Sequence, residues 1–501
     1  MTEGNGEVKE LPKGWTTCEL QSLCELITKG STPTTYGHQY RTQGINFVKT
    51  ENISNNGFIF NIKQFIDKEA NAFLKRSQLD IGDVLFSIAG TIGRVGIVRK
   101  KDFPANTNQA LSIIRLIKNA VSDKYLFYFL KSPLVQKTIL KSITGVGRAN
   151  LSLKDVGELN ILLAPFPEQN RIVEKIEELF SDLDQGIESL RIAQKQLKVY
   201  RQAVLKWAFE GKLTEEWRKQ HSSTLKTGEA LLAQIKAERY SNYQGKYSDP
   251  VVPKDNPFQE LPESWCLVTL DQVSLLVTSG SRGWARYYSD AGSYFIRAQD
   301  INTNELNLRN IAYVSLPEGA EGERTRIQTG DILITITGAN VTKTALVKIN
   351  FKKEAYVNQH IGLVRLVESI SRKFIYWWLI SSEHGHAQLM VAAYGAGKPG
   401  LNLTNLKEVL ITLPSLKEQE QILQEIESRL SICDRLEDTI IENLQKAEAL
   451  RQSILKQAFE GKLVPQDPND EPAEKLLERI KAEREANQAS KTLKQLKIKG
   501  L

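Results

Sequence analysis

One thirteen-residue stretch of this chain occurs twice. Arg201 to Leu213 reads RQAVLKWAFEGKL and Arg451 to Leu463 reads RQSILKQAFEGKL, identical at ten of thirteen positions and 250 residues apart. A repeat on this scale dictates architecture, because both copies carry the information for the same local fold. The register extends upstream. FPEQNRIVEKIEELF from Phe166 lines up with LKEQEQILQEIESRL from Leu416, LSLKDV from Leu151 with LNLTNLKEV from Leu401, Asn108-Gln109 with Asn358-Gln359, and LPKGW from Leu11 with LPESW from Leu261. Between these anchors the offset shifts to 248: GDVL from Gly82 matches GDIL from Gly330, and Phe47-Val48-Lys49 matches Phe295-Ile296-Arg297. Residues 31–46 and 281–294 share little. One part of the unit is built for a common task and another for two different tasks.

Each copy opens with a globular head of about 155 residues. Short β-type runs, DVLFSIA from Asp83 and RVGIVR from Arg94, alternate with glycine turns, and the second copy gives DILITIT from Asp331. A helical portion is expected from Ser122 to about Lys141, interrupted at Ser132-Pro133, with a counterpart from about Arg372 to Val391. The fold class is α+β: two duplicated mixed heads separated by a long antiparallel, coiled-coil-like helical pair. The expected organisation is a first head over 1–165, a helical region over 166–240, a linker over 241–257, a second head over 258–415, and a second helical region with a basic tail over 416–501.

After Pro165 the periodicity becomes helical. Ile176, Leu183, Leu190, Leu197 and Val204 recur every seven residues; the second copy aligns Ile426, Cys433, Ile440, Ala447 and Ile454. A companion row of Ile422, Leu436 and Leu450 is broken by Arg429 and Asn443, a departure from an idealised coiled coil. An apolar stripe left in water is costly, so each helix needs a partner, and the other copy is the obvious one. Residues 168 to 210 would span about 64 Å as a helix. Antiparallel packing would then make a strut holding two heads apart, with two separate helical hairpins as the alternative. The shorter amphipathic segments EALLAQIKAER from Glu229 and EKLLERIKAER from Glu474 would cap the bundle or present a docking face.

The chemistry of small-molecule catalysis is missing from the sequence. Cys18, Cys24, Cys266 and Cys433 form no CxxC pair, and five histidines form no HExxH motif. GAGKP from Gly395 resembles a phosphate loop, but proline stands where a magnesium-binding hydroxyl belongs, and its counterpart GVGRA from Gly145 marks it as a repeated turn. No carboxylate pair is singled out by spacing. Neither a metal nor a cofactor is expected. The N-terminal stretch offers no signal peptide and no run of 18 apolar residues occurs, so the expected location is cytoplasmic, away from any membrane. Lys and Arg number 66 against 59 Asp and Glu, a formal charge of +7 that permits an anionic partner.

The duplicated LPKGW and LPESW, the GD-[VI]-L strand with its glycine turn, the EQ at the start of each long helix and the AFEGKL at its end together resemble the specificity subunit of type I restriction-modification systems. The resemblance covers nearly the whole chain. It implies that the heads are target recognition domains, each reading one half of an asymmetric bipartite site in double-stranded DNA. It further implies that the helices fix the spacer and dock two adenine-methyltransferase subunits, which bring S-adenosylmethionine, and that a restriction/translocase subunit joins them. The chain itself would be non-catalytic.

Base readout favours arginine, lysine, asparagine and glutamine, and phosphate contacts favour basic and small hydroxyl side chains. In the first head the candidates are Lys29, Ser31, Thr32, Thr34 and Tyr36 in the KGSTPTTY loop, Thr91 and Arg94 in the GTIGR turn, and Arg41, Lys49, Asn106 and Arg148. In the second they are Arg282, Trp284, Arg286 and Tyr287 in SRGWARYY, then Arg297, Asn340, Lys343 and Lys398. Residues 191–219 carry eight Lys and Arg against three Glu, a stretch suited to DNA, an acidic partner or plain solvation. The competing reading is a duplicated coiled-coil adaptor that does not read DNA.

Overall fold

The computed structural model describes residues 10–54, 62–145, 150–242, 247–258, 261–302, 304–317, 322–394 and 399–498. They form two compact units: one comprises the chain up to Leu190 together with Glu442 onward, the other Arg191–Ile441.

In the first unit the GDVL motif makes the middle of a sheet. Val84–Ser87 is buried along its whole length and sits in a four-stranded antiparallel sheet ordered Cys24–Lys29, Leu111–Leu116, Val84–Ser87, Val95–Ile97. Gly82 turns the chain into this strand at φ +93°, a conformation that L side chains rarely adopt. Asp83 behind it is buried, and its carboxylate accepts from Arg115 Nε at 2.9 Å and Nη2 at 2.7 Å and from the Asp80 backbone N–H at 2.7 Å. A buried carboxylate is tolerated when it is paired and fully hydrogen-bonded. A second, mixed sheet is ordered Phe65–Ile66, Ile45–Val48, Ala105–Thr107, Gln78–Leu79, its central pair parallel. Thr16–Glu19 pairs with Asn160–Leu163 beside the helices Asp123–Lys131 and Pro133–Gly145. The break falls at Ser132, as the Ser-Pro step predicts.

The second unit repeats this plan. Its antiparallel sheet is ordered Ser274–Ser279, Ile361–Leu366, Ile332–Thr335, Thr344–Leu346, and its mixed sheet Tyr288–Ser289, Ala312–Val314, Ser293–Ile296, Ala355–Val357. Asp331 is bound by Arg365 at 2.9 and 2.8 Å and by the Gln328 N–H at 2.7 Å, behind Gly330, also at φ +93°. Arg372–Ile380 and Gly385–Tyr394 form the helical layer.

The long helices run over Phe166–Phe209 and Leu416–Phe459. They are antiparallel partners: in each unit the start of one lies with the end of the other. In the first unit Arg451 pairs with Asp184 and its guanidinium stands over the Phe180 ring at 4.4 Å, while Phe459 packs edge-on against Tyr125 and Phe129. In the second, Arg201 pairs with Asp434 at 2.6 Å and Glu437 at 3.1 Å, while Phe209 packs against Phe374 and Trp378. Ile426, Cys433, Ile440, Ala447 and Ile454 are all buried; on the other helix Ile176 and Val204 are buried and Leu183, Leu190 and Leu197 half-buried. Leu436 and Leu450, placed on a companion row by sequence, are about half exposed instead. The contact therefore follows one apolar row flanked by ion pairs.

The repeated motifs meet where head joins helix. Trp15 Nε1 donates to Glu168 Oε1 at 3.1 Å, and Trp265 Nε1 donates to Glu418 Oε2 at 2.9 Å. The neighbouring glutamine does equivalent work: Gln169 Oε1 accepts from the Ser122 N–H and its Nε2 donates to the Ala164 carbonyl, as Gln419 does for Ser371 and Pro414. Gly461 and Gly211, both at positive φ, let the AFEGKL ends pass against Pro12 and Pro262 of the LPxxW motifs. The short amphipathic helices dock on the heads. In the first unit Ala473–Ile498 buries Leu476 and Ile480, and Arg484 donates to the carbonyls of Gln21 and Cys24. In the second Gly228–Asn242 buries Leu231 and Ile235, and Arg239 donates to the Ser274 carbonyl. Each head is thus closed by the helix of the opposite repeat.

His384, immediately before the helix Gly385–Tyr394, is 5% exposed among Phe209, Trp378 and Phe258, with Ser381 Oγ 3.0 Å from its Nδ1. Burial, partly opposed by Glu210 and Glu383, pushes its pKa down to about 4. An unfolded chain binds the proton near pH 6.5 and the folded one does not, so stability is complete above that pH and falls as pH drops toward 4. The loss is on the order of 3 kcal/mol at most. Protection factors for hydrogen exchange of the Arg372–Ile380 amides, taken relative to intrinsic rates at each pH, should fall over this window, and His384→Leu, matching Leu134 of the first head, should flatten the dependence.

Candidate nucleic-acid interface

At one end of each antiparallel sheet a divergent loop leaves a common root. Cys24–Lys29 and Ser274–Ser279 both run into a glycine whose Cβ position is filled by backbone: the Thr107 and Asn108 carbonyls for Gly30, Val357 and Asn358 for Gly280. The repeated Asn-Gln pair builds that floor. Asn108 Oδ1 accepts from the Ala110 N–H and Asn358 Oδ1 from the His360 N–H, leaving Gln109 and Gln359 exposed beside the loops. The Thr32 hydroxyl donates to Gln109.

In the first head Lys29, Thr34, Tyr36 and Arg41 are exposed, and Ser31 and Thr32 half-buried. Tyr36 lies 5.3 Å from Phe73, centroid to centroid, and His38 lies 5.2 Å from the same ring. Arg41 pairs with Asp67 at 3.1 Å; the Ala70 N–H first and Arg41 second hold that carboxyl below its ordinary range. Lys49 Nζ stands 4.5 Å above the Tyr40 ring, and Thr91 is exposed in its turn.

In the second head Arg282 and Arg286 are exposed, Arg286 over the ring of half-buried Tyr287 at 4.8 Å. Lys343 is half-buried. Arg148 and Lys398 lie outside the described residues.

Five candidates are set aside or weakened by geometry. Asn106 is fully buried and its Nδ2 donates to Asn71 Oδ1 at 2.8 Å and the Leu74 carbonyl at 3.2 Å, so it braces the mixed sheet. Trp284 is 6% exposed, packed on Phe295 and Tyr356, and is a core residue holding its loop. Arg297 is engaged by Asp300 at 2.9 Å and by the Asn310 carbonyl at 2.6 Å. Arg94 Nη1 donates to the carbonyls of Thr50 and Ile53; Asn340 Nδ2 donates to those of Ala298 and Ile301, the same two positions at offset 248. Strand register gives Lys343 the backbone place of Arg94, since Phe86 pairs with Val95 and Ile334 with Thr344. The bracing is done by a different residue in each head.

Sequence reasoning missed exposed Phe73 and Arg76, which lie against the first loop and its root, and exposed Arg324, which lies against the root of the second. Arg76 Nη2 lies 3.5 Å from the Lys29 carbonyl; Arg324 Nη1 donates to the Ser279 carbonyl at 3.0 Å and to the Thr278 hydroxyl. The offset of 248 already joined Arg76-Ser77 to Arg324-Thr325. Among the described residues no group of three or more His, Cys, Asp or Glu could hold a metal, and no helix is long and apolar enough to cross a membrane.

The chain matches the family described as type I restriction modification DNA specificity domain over residues 12–190 and 272–446. It is 24% identical over 511 residues to the type I restriction enzyme EcoKI specificity subunit of Escherichia coli K12, covering 96% of this chain and 98% of that one. It is 26% identical over 405 residues to the EcoBI specificity subunit of Escherichia coli, covering 77% of each. Its fold resembles a chain solved in work on the assembly and conformational transition of a type I R-M system (TM-score 0.64, 19% identity, 90% of this chain and 99% of that one). It also resembles the HsdS subunit of Thermoanaerobacter tengcongensis (TM-score 0.55, 20% identity, 91% and 99%).

Bracing and surface arginines should separate by stability. Arg94→Ala should cost about 1–3 kcal/mol by leaving the two carbonyls short of a donor, whereas Arg286→Ala should stay within about 0.5 kcal/mol. Denaturant midpoints of the two variants check this.

Proposed function

The chain belongs to the type I restriction-modification DNA specificity family, and from that premise we propose that it selects the DNA sequence for a type I restriction-modification complex. Each head reads one half of an asymmetric bipartite site in double-stranded DNA. The observation that carries this reading is the contrast within each head. The Asp–Arg pair, the Trp–Glu bond and the brace beneath the 3-10 turn, Thr50–Asn52 in one head and Ala298–Asp300 in the other, recur between copies, while the loop on the common root changes from KGSTPTTY to SRGWARYY. Two unlike readers on a repeated frame suit a non-palindromic target.

The helices supply the spacer and the docking surface. A rigid helix converts residues into distance, at about 1.5 Å each against about 3.4 Å per base pair. Ile192, Val199 and Trp207 on the first long helix and Leu436 on the second are exposed in the second unit, as is Leu450 in the first, giving apolar surface for methyltransferase subunits. Two such subunits, carrying S-adenosylmethionine, would perform adenine methylation, and a restriction/translocase subunit would complete the nuclease form. This chain contributes choice of sequence.

Genome-wide adenine methylation mapping, with and without the gene in cells holding the partner subunits, tests the reading. A bipartite motif that vanishes with the gene supports it; methylation independent of the gene, or no sequence-specific footprint, favours the adaptor. Arg282→Ala or Arg286→Ala should alter or weaken one half-site and leave the other intact. Inserting a heptad into both long helices, which preserves the apolar row, should lengthen the unspecified spacer and change neither half-site; an unchanged spacer contradicts the strut.

A further inference from the structure

Two heads that read different bases still meet the same phosphodiester backbone. Side chains that differ between the heads are suited to the bases; an exposed side chain kept at the same place in both is suited to what the half-sites share. We propose that Arg76 and Arg324 are equivalent positioning residues, one per head, that grip a DNA phosphate beside each half-site without reading it. This rests on the DNA-reading function proposed above.

The equivalence is structural as well as sequential. Each arginine precedes a buried hydroxyl residue that turns back on the chain, Ser77 to the Leu74 carbonyl and Thr325 to the Gly322 carbonyl. Each then leads to the residue whose carbonyl is bound by the sheet arginine, Gln78 by Arg115 and Arg326 by Arg365. Each points at the carbonyl of the last strand residue before the loop-root glycine, Lys29 or Ser279. The surroundings diverge: Lys75 stands beside Arg76 where Glu323 stands beside Arg324, and Lys29 is replaced by Ser279. The arginine persists while its neighbour reverses charge. A guanidinium offers a planar fork matched to phosphate oxygens, and the carbonyl contact made through one terminal nitrogen, Arg76 Nη2 or Arg324 Nη1, orients it for that use.

The test measures binding by the full chain assembled with its methyltransferase subunits. The probes are a duplex carrying the motif mapped for the unaltered protein and a scrambled duplex of equal length, titrated from about 50 to 200 mM salt. Arg76→Ala and Arg324→Ala should each weaken both probes by the same factor, roughly three- to tenfold, and lower the slope of log affinity against log salt by about 1. The methylated motif should stay the same, and Arg76→Lys and Arg324→Lys should recover most of the slope. A changed base preference in one half-site would make the arginine a base reader and overturn the assignment. Selective loss of one half-site, with unchanged slope and no rescue by lysine, would make it a prop for the loop and overturn it equally. If the unaltered complex itself failed to prefer the motif duplex, the DNA-reading function would fall, a result separate from either of these.

Discussion

A tryptophan N–H bound to a buried glutamate fixes each head to its helix. Glu168 and Glu418 stand in the first turn of the two long helices, both 1% exposed. The helix N-terminus favours a carboxylate there, and the indole donor satisfies part of it. In the second unit Arg218 adds a contact at 2.5 Å and the Thr214 hydroxyl another at 2.9 Å. In the first unit burial pushes Glu168 above its ordinary pKa, with the Trp15 bond opposing. Because the indole also lies by the glycine that ends the antiparallel helix, one junction sets the direction of both helices and the place of the head. Without it the heads would be tethered rather than aimed.

From that junction outward the molecule sorts into repeated and divergent parts. Inside each head the buried Asp–Arg pair holds the central strand in register, and a side chain of that head, Arg94 or Asn340, ties down the 3-10 turn at the same two carbonyls. Arg94 and Asn340 show that the frame is kept by geometry and not by residue identity. The loops between Gly30 and Ile45, and between Gly280 and Ser293, differ in sequence, aromatic content and length.

Much of the frame was legible in the sequence because it is repeated. The matched motifs LPxxW, EQ and AFEGKL turn out to meet where head joins helix, and GD-[VI]-L makes the central strand of each antiparallel sheet. The heptad rows pointed to the helix pair, but spacing alone could not tell Cys433 and Ala447, which are buried, from Leu436 and Leu450, which face solvent. The candidate interface was less legible. Basic and amide side chains next to glycine turns look alike whether they face solvent or brace a turn, so Arg94, Asn340, Arg297 and Asn106 could be sorted only by their hydrogen bonds. Trp284 has a loop's sequence surroundings and a core residue's environment. Arg76 and Arg324 share the offset of 248, but a single shared arginine makes no motif until its hydrogen bonds show the same surroundings in both heads.

The central claim is that recognition resides in two separable heads on a common frame. The most direct measurement is adenine methylation mapping for a chain whose second head, residues 258–415, is replaced by a copy of the first. The account predicts a symmetric bipartite motif, with the first half-site repeated in inverted orientation. Retention of the original asymmetric motif would contradict it.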